Sequence, residues 1–553
     1  MDHPARLAGA LLALATAAGA GDPQAAPPVI TTTTRLVQVS VIAKEKGGEP
    51  AAGLKAEDFR VMVDGRPQKI SFFSAESTSV TASSAALPPG TFTNILEARG
   101  QAINGITVVL LDLVNTRMAD RMYARQQLIK YLEQIQPQDR IGVYVFGGRL
   151  RVLHEYTTDM ADFQRKLADA KSRLISVSGT ETPGALDREQ SEFDSAFAGR
   201  GGNLVEREFY MRNRVMGTLA VFKFLANHLE RVPGRKNLIW VSGAFPMIFG
   251  YQTLENMAEN YTEEVDATVR ALSQANVAVY PIDARGLTTA PGFDASRGPR
   301  GNASTTPPRS GAVNRPATAP PRPGGGSNRR EIASHETMDE IAQRTGGHAY
   351  YNTNDIARAI HEAVADSTLT YTIGFYPTDE KNDRDFHKIK IETAHRHVSL
   401  HYRSGYLDLP LAPQDERQRM LQLHDALFSP LDATELGLTV HAARSAGGPA
   451  LDLVVTVQPD GVRLKPEGDR YDGRLDMLIA QLDPRGNLIE GSADTHDTVE
   501  LKMLADSYKK FTAAGLPLRK TLTPSARANT LRIVVRDAGS GMIGSLTVPL
   551  NGL

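Results

Sequence analysis

The chain lacks cysteine, since none occurs among its 553 residues. Disulfide bonds, cysteine–zinc sites and catalysis by a thiolate are therefore excluded. A lipid anchor of the bacterial lipoprotein type needs a cysteine directly after the signal sequence, so it is not expected either.

An excess of charge of either sign is also lacking. The chain has 62 Lys and Arg against 63 Asp and Glu, a net charge of −1. This balance gives no electrostatic reason to bind nucleic acid or an anionic membrane. No apolar run reaches the roughly 20 residues that span a bilayer. We therefore expect no nucleic-acid partner and no membrane span.

The first 20 residues carry a short apolar run. The segment "ARLAGALLALATAAGA" has one arginine, then apolar residues, then small residues, which is typical of a cleaved secretory signal. A disordered leader is the alternative, because Asp2 weakens the basic start. We expect a signal peptide at 1–20, export to the periplasm or beyond the cell, and a disordered Pro/Ala/Thr-rich segment at 21–34.

The next segment has the two-residue period of β-strands. "RLVQVSVIA" alternates apolar and polar residues, and "EDFRVMVDGRPQKISFF" places Asp64-Gly65 between two apolar runs. The Asp-Gly dipeptide accepts the positive φ of a two-residue hairpin turn. The pattern predicts a small β-rich module at 35–76, followed by a linker at 77–103.

The middle of the chain alternates strand-like and helix-like segments. Near-continuous apolar runs such as "GITVVLLDL" and "VAVYPIDA" suit strands buried on both faces, and helical periods separate them. The alternation predicts an α/β domain at 104–407 with a mostly parallel sheet. A polar insertion at 175–213 and a Pro/Gly-rich insertion at 286–330, expected to be disordered, interrupt it. Residues 413–553 predict a helix followed by a β-sandwich-like module.

Several segments together resemble a known family. "GLKAEDFRVMVDGRPQKISFF", "LLDLVNTRMADRMYARQQLIKYL", "PGRKNLIWVSGAFP", "VAVYPIDARGL" and "TYTIGFYP" follow the order found in von Willebrand factor A-related domain proteins of the Acidobacteria type. The resemblance covers about residues 35–407. It implies a von Willebrand A-like, doubly wound, mostly parallel sheet, flanked here by the two β-rich modules.

The resemblance also implies a metal-ion-dependent adhesion site with an Asp-x-Ser-x-Ser loop, a threonine loop and an Asp-Gly loop. Asp112 matches the first aspartate, Thr116 the second hydroxyl and Thr218 the threonine loop. Val114 replaces the first serine, and Ser242-Gly243 replaces the Asp-Gly pair. Mg²⁺ and Mn²⁺ prefer oxygen ligands. The expected site is therefore degenerate and holds Mg²⁺ or Mn²⁺ weakly, if at all.

Elementary chemistry leaves other roles open for these residues. Ligands of parallel sheets bind at the carboxyl ends of strands, where Asp112 and Asp283 lie. Asp112 and Thr116 also suit capping of the loop before the next helix, with side-chain oxygens that accept from unpaired N–H groups, and this is the favoured interpretation. Asn115 offers an additional amide oxygen, and Asp283 is close to Arg285. The expected ligand surface comprises Asn115, Ser242, Gly243 and Asp283.

Three functions remain open at this stage. The first is an exported, non-enzymatic binding protein that meets another protein or a surface polymer at the strand-end loops. The second is a structural or assembly protein of the cell envelope with a vestigial site. The third is a haloacid-dehalogenase-like phosphatase, which needs a second aspartate where this chain has Val114. We expect a protein without enzymatic activity.

Overall fold

A computed structural model describes the protein at residues 36–77, 81–82, 87–95, 101–102, 105–134, 140–155, 165, 168–169, 204–243, 261–287, 325–366, 368–377, 386–407, 416–445, 448–489, 495–551 and 553. The signal peptide expected at 1–20, the segment 21–34 and most of both insertions, at 175–203 and 288–324, lie outside these residues.

The described helices are α1 (Met118–Leu132), α2 (Leu204–Leu229), α3 (Thr262–Gln274), α4 (Gly325–Thr345), α5 (Ile356–Ala365), α6 (Glu416–Phe428) and α7 (Ala505–Ala514). A 3-10 turn covers Ala56–Asp58. Two helices begin inside segments predicted as insertions, α2 within 175–213 and α4 within 286–330. Extending a helix that packing has already formed costs little per residue, so sequence period alone places its start too late.

The described strands are β1 (Val37–Glu45), β2 (Phe59–Val63), β3 (Arg66–Gln68), β4 (Ile70–Ser77), β5 (Thr81–Ala82), β6 (Thr91–Thr93), β7 (Gln101–Ala102), β8 (Thr107–Asp112), β9 (Ile141–Phe146), β10 (Leu150–His154), β11 (Lys236–Ser242), β12 (Val277–Asp283), β13 (Leu369–Phe375), β14 (Phe386–Thr393), β15 (Val398–His401), β16 (Gly405–Leu407), β17 (Leu438–Arg444), β18 (Leu451–Val457), β19 (Lys465–Glu467), β20 (Arg470–Leu482), β21 (Thr495–Leu504), β22 (Leu516–Leu522), β23 (Thr530–Asp537) and β24 (Ile543–Pro549).

The central sheet has the strand order β10-β9-β8-β11-β12. Strands β8, β9, β11 and β12 are parallel, and β10 runs antiparallel at the edge. Every residue of the four parallel strands is buried, which explains their continuous apolar runs. The prediction of a mixed α/β architecture with a mostly parallel sheet is confirmed at this level.

Helices cover both faces of this sheet. On one face Phe222 of α2 and Val265 of α3 pack against Trp240, whose ring meets that of Phe222 edge-on at 5.1 Å between centroids. On the other face Leu128 of α1 and Ile360 of α5 enclose a second core. The two cores hold the strand ends, and the loops that leave them, in fixed positions.

A separate β-sandwich contains the N-terminal strands. One sheet has the order β15-β1-β13-β4 and the other β16-β14-β2-β3. The predicted hairpin at Asp64-Gly65 is confirmed: β2 pairs with β3, and the two turn residues have φ of 48° and 80°. The side chains of Val39, Val41 and Tyr371 meet in the shared core.

This sandwich differs from the sequence prediction in its second half. Strands β13, β14 and β15, predicted as part of the α/β domain, pair with β1, β2 and β4 instead, and β16 pairs with β14. Strand β14 pairs with β2 and β16, whereas β15, the next strand along the chain, pairs with β1. The reason is burial: the early strands need a second set of strands to cover their apolar faces.

The C-terminal region forms a second sandwich. Its sheets have the orders β22-β18-β17-β6 and β19-β20-β23-β24, with β21 paired to β20. Leu438, Val455, Met477 and Ile533 pack between the sheets. Strand β6, inside the predicted linker 77–103, is an edge strand here because it pairs with β17. None of the helices in the described ranges has both the length and the apolar character needed to traverse a lipid bilayer.

Candidate functional site

The strand order of the central sheet reverses between β8 and β11. The chain moves outward from β8 to β9 and β10, and later from β11 to β12 on the opposite side. In open α/β sheets ligands bind outside the carboxyl ends of the strands at such a point. Asp112 ends β8 and Ser242 ends β11, so two residues predicted for the site flank this point.

The carboxylate of Asp112 is fully buried and accepts four hydrogen bonds. Oδ1 accepts from the backbone N–H of Asn115 at 3.0 Å. Oδ2 accepts from Asn115 Nδ2 at 2.7 Å, Trp240 Nε1 at 3.0 Å and Ser242 Oγ at 3.2 Å. Burial raises the pKa of Asp112, and these four hydrogen bonds offset part of the rise.

Asn115 lies between two of the predicted metal ligands. Its Nδ2 donates to Thr218 Oγ1 at 2.8 Å as well as to Asp112, and Thr218 Oγ1 in turn donates to the carbonyl of Arg214 at 2.9 Å. Its Oδ1 is buried and has no hydrogen-bond partner among the described residues. The amide nitrogen of Asn115 thus faces the carboxylate. The sequence had suggested the amide oxygen as a metal ligand at this place.

Thr116 joins the loops after β8 and β11. It is fully buried, donates from Oγ1 to the carbonyl of Asp112 at 2.5 Å, and accepts from the N–H of Gly243 at 2.9 Å. A Cβ atom at Gly243 would lie 3.1 Å from Thr116 Cα and 3.4 Å from the Asn115 carbonyl. The close approach of the two loops therefore favours glycine at this position, because an added Cβ would push the neighbouring backbone slightly away.

The structure brings Asp112, Thr116 and Thr218 together with Asn115, Ser242 and Gly243. In this geometry the oxygen atoms do not fit a divalent ion, because the NH₂ group of Asn115 lies between the Asp112 carboxylate and the Thr218 hydroxyl. Within the described ranges, no group of three or more His, Asp or Glu side chains is arranged to hold a metal. Capture of Mg²⁺ or Mn²⁺ would require the Asn115 amide to turn its oxygen inward.

Asp283, the remaining predicted residue, ends β12 in a different environment. It is fully buried and forms an ion pair with Arg285, with Nη2 2.6 Å from Oδ2, as the sequence suggested. His335 Nε2 also lies 2.9 Å from the same oxygen. Burial alone would raise the pKa of Asp283, but His335 and Arg285 outweigh it and hold this pKa below its usual value.

Sequence reasoning missed His335 and the exposed side chains beside it. His335 belongs to α4 and stacks on Tyr351 with 4.4 Å between ring centroids. Asn354 accepts at Oδ1 from the N–H of Leu287 at 2.8 Å and at its carbonyl from the Tyr123 hydroxyl. We call Tyr123, Leu287, Tyr351 and Asn354 the rim patch. Leu287 is 61% exposed and Tyr351 38%. Local period carries no signal for such a patch, because its members come from three separate loops and helices.

No protein-family model matches the chain, and no curated protein matches it. Among solved structures it is similar to an aerotolerance-related membrane protein from Bacteroides fragilis carrying multiple mutations to serines. That match has 15% identity and a TM-score of 0.23 over 47% of this chain and 98% of the other. It is also similar to the pilus adhesin SpaC from Lactobacillus rhamnosus GG, at 10% identity and a TM-score of 0.25 over 89% of this chain and 58% of the other. Likenesses at these TM-scores carry no argument about function.

Proposed function

We propose that the chain is a non-enzymatic binding protein built on a von Willebrand factor A-related α/β domain. In this proposal the strand-end loops dock another protein or a surface polymer, and hydrogen bonds within the protein take the place of the metal ion. The doubly wound, mostly parallel sheet supports the family assignment, together with the ordered sequence segments that resemble the family.

One observation carries the proposal: the Asp112 carboxylate is enclosed and all its hydrogen bonds come from within the protein. A carboxylate with four internal donors has little capacity left for a cation or a substrate. Its action is to hold the loops after β8 and β11 together. Loops that are fixed in advance lose less conformational entropy when a partner binds.

The rim patch supplies the surface for docking. Exposed apolar and aromatic side chains beside polar groups mark interaction sites on soluble proteins. Leu287 and Tyr123 contact Asn354, and Tyr351 stacks on His335, which reaches Asp283 at the end of β12. A protein or polymer that offers apolar groups fits the patch best.

The rival functions make different demands on Asp112. A phosphatase of the haloacid-dehalogenase type needs its nucleophilic carboxylate open to substrate. The enclosure of Asp112 disfavours that role. An assembly protein of the envelope with a vestigial site fits the closed network equally well and differs only in leaving the rim patch without a partner. Export through the signal peptide, to the periplasm or outside the cell, stays part of the proposal.

Metal titration tests the first half of the proposal. We expect millimolar Mg²⁺ or Mn²⁺ to leave the melting temperature of the full chain unchanged, with no heat of binding by calorimetry. A rise in melting temperature that Asp112→Asn abolishes would instead establish a working metal site. Turnover of a generic phosphomonoester that is lost in the same variant would establish the phosphatase.

Substitution at the rim patch tests the second half. Leu287→Ser removes an exposed apolar side chain, so the stability of the chain should change by less than about 0.5 kcal/mol. Cross-linking yield to partners from native envelope fractions should fall. Leu421→Ser on α6, where Leu421 is 53% exposed, is the matched control and should keep that yield. Equal yields for both variants would favour the assembly protein with a vestigial site.

A further inference from the structure

The carboxyl end of α2 meets the segment 432–437, which leads into β17 of the C-terminal sandwich. Thr434 donates its N–H to the carbonyl of Asn227 at 2.9 Å and its hydroxyl to the carbonyl of His228 at 3.0 Å. The N–H of Arg231 donates to the Thr434 hydroxyl at 3.3 Å. We call this contact the α2 junction, since it joins the α/β domain to the sandwich.

His228 lies buried in the α2 junction between two acceptors. Its Nδ1 is 2.8 Å from the carbonyl oxygen of Asp432, and its Nε2 is 3.3 Å from Oε1 of Glu155, which follows β10. A neutral imidazole carries one N–H and would turn a lone pair toward one of these oxygens. Protonation keeps the contact with the Asp432 carbonyl and adds an ion pair with Glu155, whose 3.3 Å contact with Nε2 is not a well-directed hydrogen bond.

The charges around His228 also favour its protonated form. Burial alone would lower the pKa of His228, but Glu155 and Asp432 outweigh burial and raise it. The Asp432 carboxylate is itself paired with Arg532, whose Nη1 lies 2.5 Å from Oδ1. Glu155 follows β10, so its contact with the His228 ring joins that strand end to α2.

A second titratable group lies in the same junction. Glu435 accepts from the N–H of Ile543 at 2.7 Å. Burial raises the pKa of Glu435 to about 8, the Ile543 hydrogen bond and Arg536 oppose the rise, and Glu230 near the end of α2 adds to it. Glu435 is thus mostly uncharged at neutral pH and gains a charge next to Glu230 above it.

We propose that the α2 junction is a proton-dependent latch, in which protonated His228 joins β10, α2 and the segment before β17, and loss of protons loosens the sandwich from the α/β domain. His228 stabilises the junction fully below its ordinary value of 6.5, and this contribution disappears as the pH rises through its raised folded pKa. The folded state also binds the Glu435 proton more tightly, so stability falls from pH 4.5, the ordinary pKa, to about 8. Loss of the proton from either His228 or Glu435 therefore lowers the stability of the junction as the pH rises.

Hydrogen exchange on the full chain tests the latch. We expect the protection factor of peptides covering 432–437 to fall at least tenfold between about pH 6 and about pH 9, after correction for intrinsic exchange. The Glu435 pKa of about 8 lies more than one unit above the start of this range, and each unit corresponds to about a factor of ten. Peptides from β23 in the sandwich core should keep their protection. Equal protection of 432–437 at both pH values would overturn the proposal.

Variants assign the effect to its groups. His228→Gln should lower protection of 432–437 at about pH 6 and remove the His-dependent part of the pH response. Glu435→Gln should remove the part of the pH response that occurs near the Glu435 pKa of about 8. His441→Gln changes an exposed histidine of β17 and should leave the response intact. A nuclear magnetic resonance titration of the His228 ring guards against misfolded variants, and a wild-type pKa below the ordinary 6.5 would overturn the proposal directly.

Discussion

Two fully buried carboxylates lie at the same edge of the central sheet, Asp112 at the end of β8 and Asp283 at the end of β12. Neutral donors surround Asp112, and its pKa is raised. The cationic Arg285 and the ring of His335 contact Asp283, and its pKa is lowered. Burial raises the pKa of both carboxylates, but the partners of Asp283 outweigh it whereas the neutral donors of Asp112 do not.

This difference indicates different tasks. Asp112 accepts hydrogen bonds that close two loops over the switch point of the sheet, and it needs no counter-charge to do so. Asp283 orients Arg285 and His335 beneath the exposed rim patch. The first residue shapes the base of the proposed docking surface, and the second holds the groups that border it.

The largest expected effect comes from removing the Asp112 carboxylate. Asp112→Ala leaves Asn115, Trp240 and Ser242 with buried donors that lose their acceptor. We expect a loss of about 3–5 kcal/mol in the free energy of unfolding, because each such donor costs about 1–3 kcal/mol. Urea unfolding measures it, with the exposed Asp469→Ala as control. A loss as small as that of the control would mean that the network does not hold the loops.

A smaller effect is expected at Asp283. Asp283→Asn leaves Arg285 and His335 without their anion, and we expect a loss of about 2–3 kcal/mol at neutral pH, less than for a wholly enclosed pair. The comparison is sharpest in the pH dependence of unfolding. The Asp283 contribution is present above its ordinary pKa of 3.8 and lost as the pH falls through its lowered folded value.

The contribution of Asp112 to the free energy of unfolding changes with pH in the opposite direction. Its folded pKa is raised, so the folded state binds more protons and stability falls as the pH rises from 3.8 through that value. Relative to the wild type, Asp283→Asn should therefore lose most stability at neutral pH and little in acid. Asp112→Asn should remove a slope of the reverse sign. If the stability of both variants changed with pH in the same way, the proposed difference between Asp112 and Asp283 would be wrong.

The smallest effect in this series concerns the loop contact itself. Gly243→Ala places a methyl group 3.1 Å from Thr116 Cα, and we expect it to cost about 1–2 kcal/mol by forcing the loops apart. Gly47→Ala is the matched control, because a Cβ there meets no atom within 4 Å. Thermal unfolding compares the two. A neutral Gly243→Ala would show that the loops separate freely.

Local pattern predicted several elements correctly. The Asp64-Gly65 turn follows from two residues that tolerate positive φ, and the continuous apolar runs placed β8, β11 and β12. These features depend on neighbours within a few residues. Asp112, Ser242 and Asp283 each end a parallel strand, and parallel strands end at one edge of a sheet.

Distant pairing was predicted less well. Val39 pairs with Ile373, so β1 and β13 meet across more than three hundred residues, and no local period indicates that choice. Strand β6 has three residues in a segment predicted as a linker, and only its pairing with β17 makes it a strand. His335 reaches Asp283 from a helix beyond the second insertion.

The sequence by itself determined the α/β alternation, the hairpin turn and which oxygen-bearing residues end the parallel strands, because these depend on side-chain period and backbone conformation. Tertiary structure alone decided that the Asn115 amide nitrogen faces Asp112, that Arg285 and His335 surround Asp283, and that the late strands complete the N-terminal sandwich. Each of these depends on which groups meet after the core has formed, since burial makes an unmatched polar group or an uncovered apolar face costly.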